Sequence, residues 1–450
     1  MVAVTSLMVI WWISEAIPLG ATSLVPLVAF PLLGIIAGDK IAREYFNSTI
    51  LIFLGGFLLA LAMQRWMLHK RISLIIIKLL GTGPSGIIFG FMVSAAFLSM
   101  FISNVATTVM LLPIGLAFIK ELEEEHTQQK VHHLAVSIML GIAYSSSIGG
   151  IATLIGTAPN LIFQRVYEMN FPELQKITFA SWLGFGFPIS VIMLISVWIL
   201  FTRILFKNNE EITINRALIK EQLSRMGKIS FEEKIVLVVF FTTMLLWLFR
   251  VNINLGVFVV PGWSEFLPSG SLIDDGTVAI FSGLLLFILP SKKERNEKIL
   301  NIEVLSKIPW EVILIFGGGF ALAKGFTESG LSELIGHYFH NINGLSDATL
   351  TVLVCTMLTF LTELTSNTAT TNTILPILAS LAKSNSINPL LIMLPATISA
   401  SFAFMLPVGT PPNAIVYGSG KIKLKEMIKA GILINIWGII IVSLYCLIFI

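Results

Sequence analysis

The sequence predicts an all-α polytopic membrane protein made of two halves of opposite orientation, each holding one re-entrant hairpin and one broken helix. Three observations predict it. Of 450 residues, 55% are hydrophobic and only 12% charged, with a mean hydropathy of +0.88; a soluble protein of this length carries about 25% charged residues. Basic residues gather in a few of the segments between apolar runs. Finally, a cluster of small polar residues, SNVATT at 103–108, recurs as SNTATT at 366–371, each soon followed by Leu-Pro.

Apolar runs that suit membrane helices, such as KIVLVVFFTTMLLWLF (234–249), recur from end to end. Spans are expected at about 2–14, 18–37, 48–66, 84–102, 105–120, 132–150, 177–206, 232–249, 276–290, 310–325, 347–365, 368–382, 388–405 and 427–449. The short amphipathic segment HKRISLIIIKLL (69–80) is expected to lie at the interface. The basic connection 207–230 divides the chain.

Loop charge sets the orientation, because basic loops stay in the cytoplasm. Basic residues gather at 65–78, 203–234, 292–307 and 421–429, whereas 250–276 holds one and 327–346 none. With the first four inside and the last two outside, 84–120 leaves the cytoplasmic face and returns to it. By the same parity, 347–382 leaves the outer face and returns there. Each Ser-Asn pair then sits at the tip of a hairpin, and the hairpins enter from opposite sides.

The halves also match in order. IFLGGFLLALA (52–62) resembles IFGGGFALAKG (315–325), and Ser103 to Ser366 and Pro113 to Pro376 keep the same offset of 263. GTAPN (156–160) matches GTPPN (409–413) at 253, the charged loop ELEEEHTQQK of the first half absorbing the difference. This is the pattern of an inverted-repeat secondary transporter. The expected organisation is N-terminal scaffold helices (1–47), a first repeat (48–206, hairpin 84–120, broken helix 132–168), a linker with scaffold helices (207–308), and a second repeat (309–450, hairpin 347–382, broken helix 388–418).

Composition excludes other classes. A net charge of +3, without a basic stripe, does not point to nucleic acid. No paired carboxylates or His constellation suggests an enzyme, and His126, His132 and His133 lack further metal ligands nearby. Opposed hairpins argue for alternating closure rather than a channel. Cys355 and Cys446 lie in apolar runs and read as packing residues. No basic n-region of a cleavable signal precedes the first apolar stretch.

Backbone at membrane depth is tolerated unpaired only where protein buries it or it lines a wet cavity. Hairpin tips and Gly-Thr-Pro breaks both leave such groups, and Pro stops and restarts the helix there. Freed carbonyls with Ser, Thr and Asn oxygens are hard ligands suited to Na⁺. Helices starting after Asn104 and Asn367 aim N–H groups and partial positive charge at an anion. No Lys or Arg lies in the four motifs, so dipoles, amides, hydroxyls and co-bound cations must hold it. Gly55, Gly56 and Gly317–Gly319 are read as close helix packing. Among intramembrane charges, Glu363 and Lys324 are expected to have structural partners, with proton coupling as the alternative for Glu363. Glu15 is expected to be an interfacial or interhelical anchor.

At these residues the chain resembles the divalent anion/sodium symporter family, which includes dicarboxylate, citrate and sulfate transporters. The resemblance covers nearly the whole chain and is most specific in AYSSSIGGIATLIGTAPN (143–160), FLTELTSNTATT (360–371) and SFAFMLPVGTPPNAIVYGSG (401–420). It implies a homodimer with a fixed scaffold and an elevator-type moving part. It also implies one Na⁺ site at Ser99, Ser103, Asn104 and Gly156 and another at Thr362, Thr365, Asn367 and Gly409. The substrate would lie among Asn104, Val105, Thr157, Asn367, Thr368, Thr410 and Pro411. The chain departs from the family pattern at Val105, where a hydroxyl is usual, at Ala158, where a second Pro is common, and in starting within the family's second span.

The expected function is Na⁺-coupled uptake of a small divalent anion, foremost a C4-dicarboxylate, by a multi-pass protein of the cytoplasmic membrane. Sulfate or citrate symport and Na⁺-independent dicarboxylate exchange are the alternatives. Bringing a dianion into an inside-negative cell costs about 4.6 kcal/mol per 100 mV, twice the roughly 2.3 of one charge. Two co-transported Na⁺ cancel that cost, and more make uptake electrogenic.

Overall fold

The computed structural model describes every residue except 82, 207–216, 255–258, 294–296 and 339–345. The start of the connection 207–230 and parts of the loops 250–276, 292–307 and 327–346 therefore lie outside the described residues. Helix α1 (Val2–Ser14) stops at Glu15, whose backbone is left-handed at φ 50°. Beyond Pro18, the span expected over 18–37 is replaced by two short helices, α2 (Leu19–Thr22) and α3 (Val25–Leu32), and a third, α4 (Gly38–Ala42), follows it. Pro26 occupies the first turn of α3, where its missing N–H costs nothing, and left-handed Gly34 (φ 67°) follows its end.

The first repeat runs α5 (Ser48–Arg65), α6 (Leu68–Leu80), α7 (Gly83–Ser99), α8 (Asn104–Glu125), α9 (Gln128–Gly150) and α10 (Ala158–Asn170). A central group follows: α11 (Phe179–Ile199), extended by a wider π turn over Leu200–Leu205, α12 (Ala217–Arg225), α13 (Phe231–Leu248) and α14 (Asp275–Ile288). A two-stranded antiparallel ribbon, β1 (Ile253–Asn254) with β2 (Val259–Val260), lies between α13 and α14. The second repeat runs α15 (Trp310–Glu328), α16 (Leu331–Tyr338), α17 (Asp347–Thr362), α18 (Asn367–Ser384), α19 (Pro389–Ser399) and α20 (Pro411–Tyr417), and α21 (Leu424–Phe449) closes the chain. Among the described residues six helical stretches are long and apolar enough to cross a membrane unaided.

The repeats correspond element by element. Asn104 and Asn367 begin α8 and α18, and Ala158 and Pro411 begin α10 and α20. Met67 (φ 58°) and Gly330 (φ 72°) occupy equivalent left-handed turns between the first helix of each repeat and its short amphipathic helix. One difference concerns the charged segment ELEEEHTQQK, expected as a loop. It is helical through Glu125 and resumes at Gln128, because Glu and Lys favour helix and Lys120 pairs with Glu124 one turn on. The first-half insertion therefore lengthens α8 and α9.

The hairpins enter from opposite ends. Arg65, at the end of α5, meets Glu297 at 2.9 Å, and the Trp66 indole donates to the Ile299 carbonyl at 2.9 Å. Arg71 on α6 forks onto Glu233 at the start of α13 (2.7 and 3.1 Å). The α7–α8 hairpin starts beyond α6 at this basic end and returns to it, where Glu123 meets Lys421 at 2.7 Å and His132 meets Glu426 at 2.6 Å. Helix α15 starts at the same end and crosses to Glu328, so the α17–α18 hairpin enters from the other side.

Glycines let these helices touch. A Cβ on Gly55 would lie 2.4 Å from the backbone of Ala279 in α14, and one on Gly318 would lie 2.7 Å from Ser23. Lys324 pairs with Glu328 at 3.3 Å, and both cysteines are buried and free. Gly55→Ala should therefore destabilise the protein by about 1–3 kcal/mol through overpacking. Gly184→Ala, whose Cβ meets nothing within 4 Å, should not. Thermal unfolding of the two variants in detergent checks this, and equal melting temperatures would contradict the close approach of α5 to α14.

Candidate functional site

Both hairpin tips and both helix breaks face one cavity of about 910 Å³. Ser103, Asn104 and Val105 line it from the first tip, and Thr365, Ser366, Asn367 and Thr368 from the second. Gly156 and Thr157 contribute from the first break, and Gly409, Thr410 and Pro411 from the second. Of the residues anticipated from the sequence, only Ser99 and Thr362 do not line it. They are fully buried one turn behind the tips.

Those two residues form the closest parallel between the repeats. The Ser99 hydroxyl donates to Asn104 Oδ1 at 2.6 Å, and the Thr362 hydroxyl donates to Asn367 Oδ1 at 2.6 Å. Each pair sets two hard oxygens close enough to share one cation. Gly156 stands beside the first pair: a Cβ on Gly150 would be 2.6 Å from Asn104 Oδ1 and 3.2 Å from the Gly156 carbonyl oxygen. Thr365 belongs to a different network, 2.6 Å from Thr370 with its hydroxyl donating to the Leu361 carbonyl at 2.9 Å.

Each break is closed by an asparagine that ends its motif and whose role the sequence alone does not show. Asn160 Nδ2 donates to the carbonyls of Gly150 (3.1 Å) and Thr153 (2.6 Å). Asn413 Nδ2 donates to those of Ala403 (2.9 Å) and Leu406 (3.0 Å), the same ten and seven residues back. Both side chains are fully buried. The signal was present, since both end the GT-x-PN motif at the matched offset, but a pattern of types does not say which carbonyls an amide will reach. The helices that follow start alike, with Thr157 (φ −146°, ψ 149°) and Thr410 (φ −145°, ψ 149°) both extended and Pro in the first turn.

The breaks are tied to the tips differently. In the first half the Thr153 hydroxyl donates to the Met100 carbonyl. In the second, the buried Glu363 carboxylate accepts from the N–H groups of Phe404 (2.7 Å), Met405 (2.8 Å) and Leu406 (3.1 Å), and from Asn435 Nδ2 of α21 (2.7 Å). Structural partners thus account for Glu363.

Among the described residues that line the cavity, none is Lys, Arg or His. Arg165, five residues beyond the first break, is engaged by Glu44 at 2.6 Å. Anion-attracting potential must come from the N-termini of α8, α10 and α18. At α10 and α18 the capping Thr157 and Ser366 make no side-chain bond to the helix, leaving first-turn N–H groups open. The remaining wall is largely apolar: Trp12, Phe53, Phe57, Phe101, Ile155, Pro309, Val312, Pro407 and Val408. Trp12, Leu19, Pro309 and Val312 lie toward the basic end, where the Gly20 N–H donates to Glu311 at 3.3 Å. At the other end α10 and α18 pack on α15. Glu15, expected as an anchor, instead lines the cavity exposed and makes no ion pair among the described residues.

Comparison with known proteins agrees with this architecture. Residues 1–449 match the sodium:sulfate symporter transmembrane region. The chain belongs to the sodium:sulfate symporter family. Members of this family named sodium-dependent dicarboxylate transporter SdcS, from Staphylococcus saprophyticus and Staphylococcus aureus, are 43% identical over 448 residues, covering 98% of this chain and 84% of theirs. Among solved structures, the YdaH transporter of Alcanivorax borkumensis aligns with a TM-score of 0.59 at 13% identity, over 98% of this chain and 97% of that one. At that identity the likeness concerns the fold alone.

The asparagine braces make a direct prediction. Asn160→Ala and Asn413→Ala each orphan two buried carbonyls, at roughly 1–3 kcal/mol apiece. The aspartate variants, which lack the donor, should be no better. Melting temperatures in detergent read the loss, and an Asp variant as stable as the parent would refute the bracing role.

Proposed function

We propose that the chain is a secondary transporter coupling inward movement of Na⁺ to uptake of a small dicarboxylate, the C4 class foremost. The observation that carries this reading is the matched pair of hydroxyl–amide oxygens, Ser99–Asn104 and Thr362–Asn367, at the two tips of one cavity whose described lining residues include no fixed cation. One Na⁺ sits in each cluster. The dianion lies between them against Asn104, Asn367, Thr368, Thr157 and Thr410, held by helix N-termini and by the two cations. Bound Na⁺ replaces the missing lysine or arginine, so neither partner binds well alone. That coupling free energy is reciprocal. The relatives' name, sodium-dependent dicarboxylate transporter, supports the same substrate pair.

With basic segments in the cytoplasm, the cavity is open inward and sealed outward by α10 and α18 against α15. Alternating access moves the hairpins and broken helices as a body past a scaffold built from residues 1–47 and 207–308 with the first helices of each repeat. The mover ends in the amphipathic α6 and α16, and the working unit is a homodimer in the cytoplasmic membrane. Val105, 39% exposed in the cavity where the second repeat has Thr368, favours a secondary reading in which sulfate competes.

Proteoliposomes with an inward Na⁺ gradient should accumulate radiolabelled succinate, while choline in place of Na⁺ should abolish uptake. Equal uptake in choline without internal dicarboxylate would rule out coupling. Unlabelled citrate and sulfate as competitors rank the alternatives. Asn104→Ala and Asn367→Ala should each lower uptake at least a hundredfold in protein that still elutes as a folded species. Retained activity in either would make that tip a packing contact.

A further inference from the structure

Glu15 is the one ionisable side chain among the described residues lining the cavity, and its charge has the wrong sign for a site that takes a dianion. It is exposed, and no cation pairs with it among the described residues. Its place is set from both sides. It ends α1 in a left-handed conformation, which costs a non-glycine residue roughly 1–2 kcal/mol. The Trp12 indole across the turn donates to the Leu19 carbonyl (3.3 Å) and to the Ser23 hydroxyl (3.2 Å). A surface anchor would need a partner, and a random surface carboxylate would not need a pinned, strained turn.

We infer that Glu15 is a one-sided electrostatic element that weakens dianion binding from the cytoplasm and speeds release there. The inference rests on the transport reading above. Glu15 belongs to the N-terminal helices that stay in place, and it lies at the basic, cytoplasmic end of the cavity. When the tips are carried outward the dianion leaves its field, so the carboxylate acts in one orientation of the cycle only. Across roughly 6–13 Å of water a single charge changes a dianion's affinity by roughly three- to tenfold. Because the cavity is open to solvent, the effect is screened by salt.

The test measures succinate KM with saturating Na⁺ in right-side-out and inside-out membrane vesicles of the full chain. For E15Q, the KM from the cytoplasmic face (inside-out vesicles) should fall three- to tenfold at low ionic strength, and the difference should shrink as choline chloride is added. The KM from the external face should not change. E15D, which keeps the charge, should behave as the parent. An unchanged cytoplasmic KM, an equal shift on both faces, or a shift indifferent to salt would overturn the inference. Parent vesicles that show no Na⁺-driven succinate transport would overturn the transport reading with it, which separates the two failures.

Discussion

Everything at the centre of this molecule follows from the cost of an unpaired peptide group away from water. Four chain reversals or breaks lie at mid-depth, and each leaves carbonyls and N–H groups that lipid cannot satisfy. Two buried asparagines close the breaks by the same two bonds, and two hydroxyls close the tips onto Asn104 and Asn367. What remains open after this internal accounting is a small set of oxygens and helix N-termini facing one cavity. In the proposed function a cation and an anion complete what the fold leaves unfinished. The proposed sites are then the residue of a satisfaction problem rather than an addition to a finished scaffold.

The two halves solve that problem with the same geometry and different chemistry. The first uses neutral groups throughout, the Thr153 hydroxyl reaching the Met100 carbonyl. The second spends a buried carboxylate on three successive N–H groups and one amide. A carboxylate accepting that many bonds is held in place by charge-assisted interactions. The second break is correspondingly the more firmly defined. The pseudo-symmetry therefore describes backbone path more faithfully than it describes electrostatics.

Much of this was legible in the sequence, for reasons that can be named. The fold class followed from hydropathy, loop charge and the ordered matches, because each reports a constraint the bilayer enforces directly. The tip and break residues were legible because small polar residues at membrane depth are costly unless used. Three things were not. The break-up of 18–37 depends on Pro18, Pro26 and Gly34 acting together within an apolar run that periodicity reads as one helix. The helical character of 121–130 was hidden because charge density reads as a loop, although Glu and Lys also favour helix. Glu15 reads from sequence as an anchor because its chain neighbours are interfacial in type, and its place on the cavity was hidden because the other walls come from residues as distant as Pro309 and Leu364.

The reach of Glu363 has a consequence for how the protein is made. The elements of the first site, from α7 to α10, are contiguous in the chain and complete once residue 170 is in place. The second break is also tied by an amide from Asn435, within α21, which emerges from the ribosome after the hairpin and break it braces. Until α21 inserts, a nascent chain holds a first half with its ties complete and a second whose Glu363 has only the three backbone N–H groups of 404–406. The two halves therefore complete their internal ties in sequence, and a chain stopped before α21 would hold a buried carboxylate short of one of its four donors.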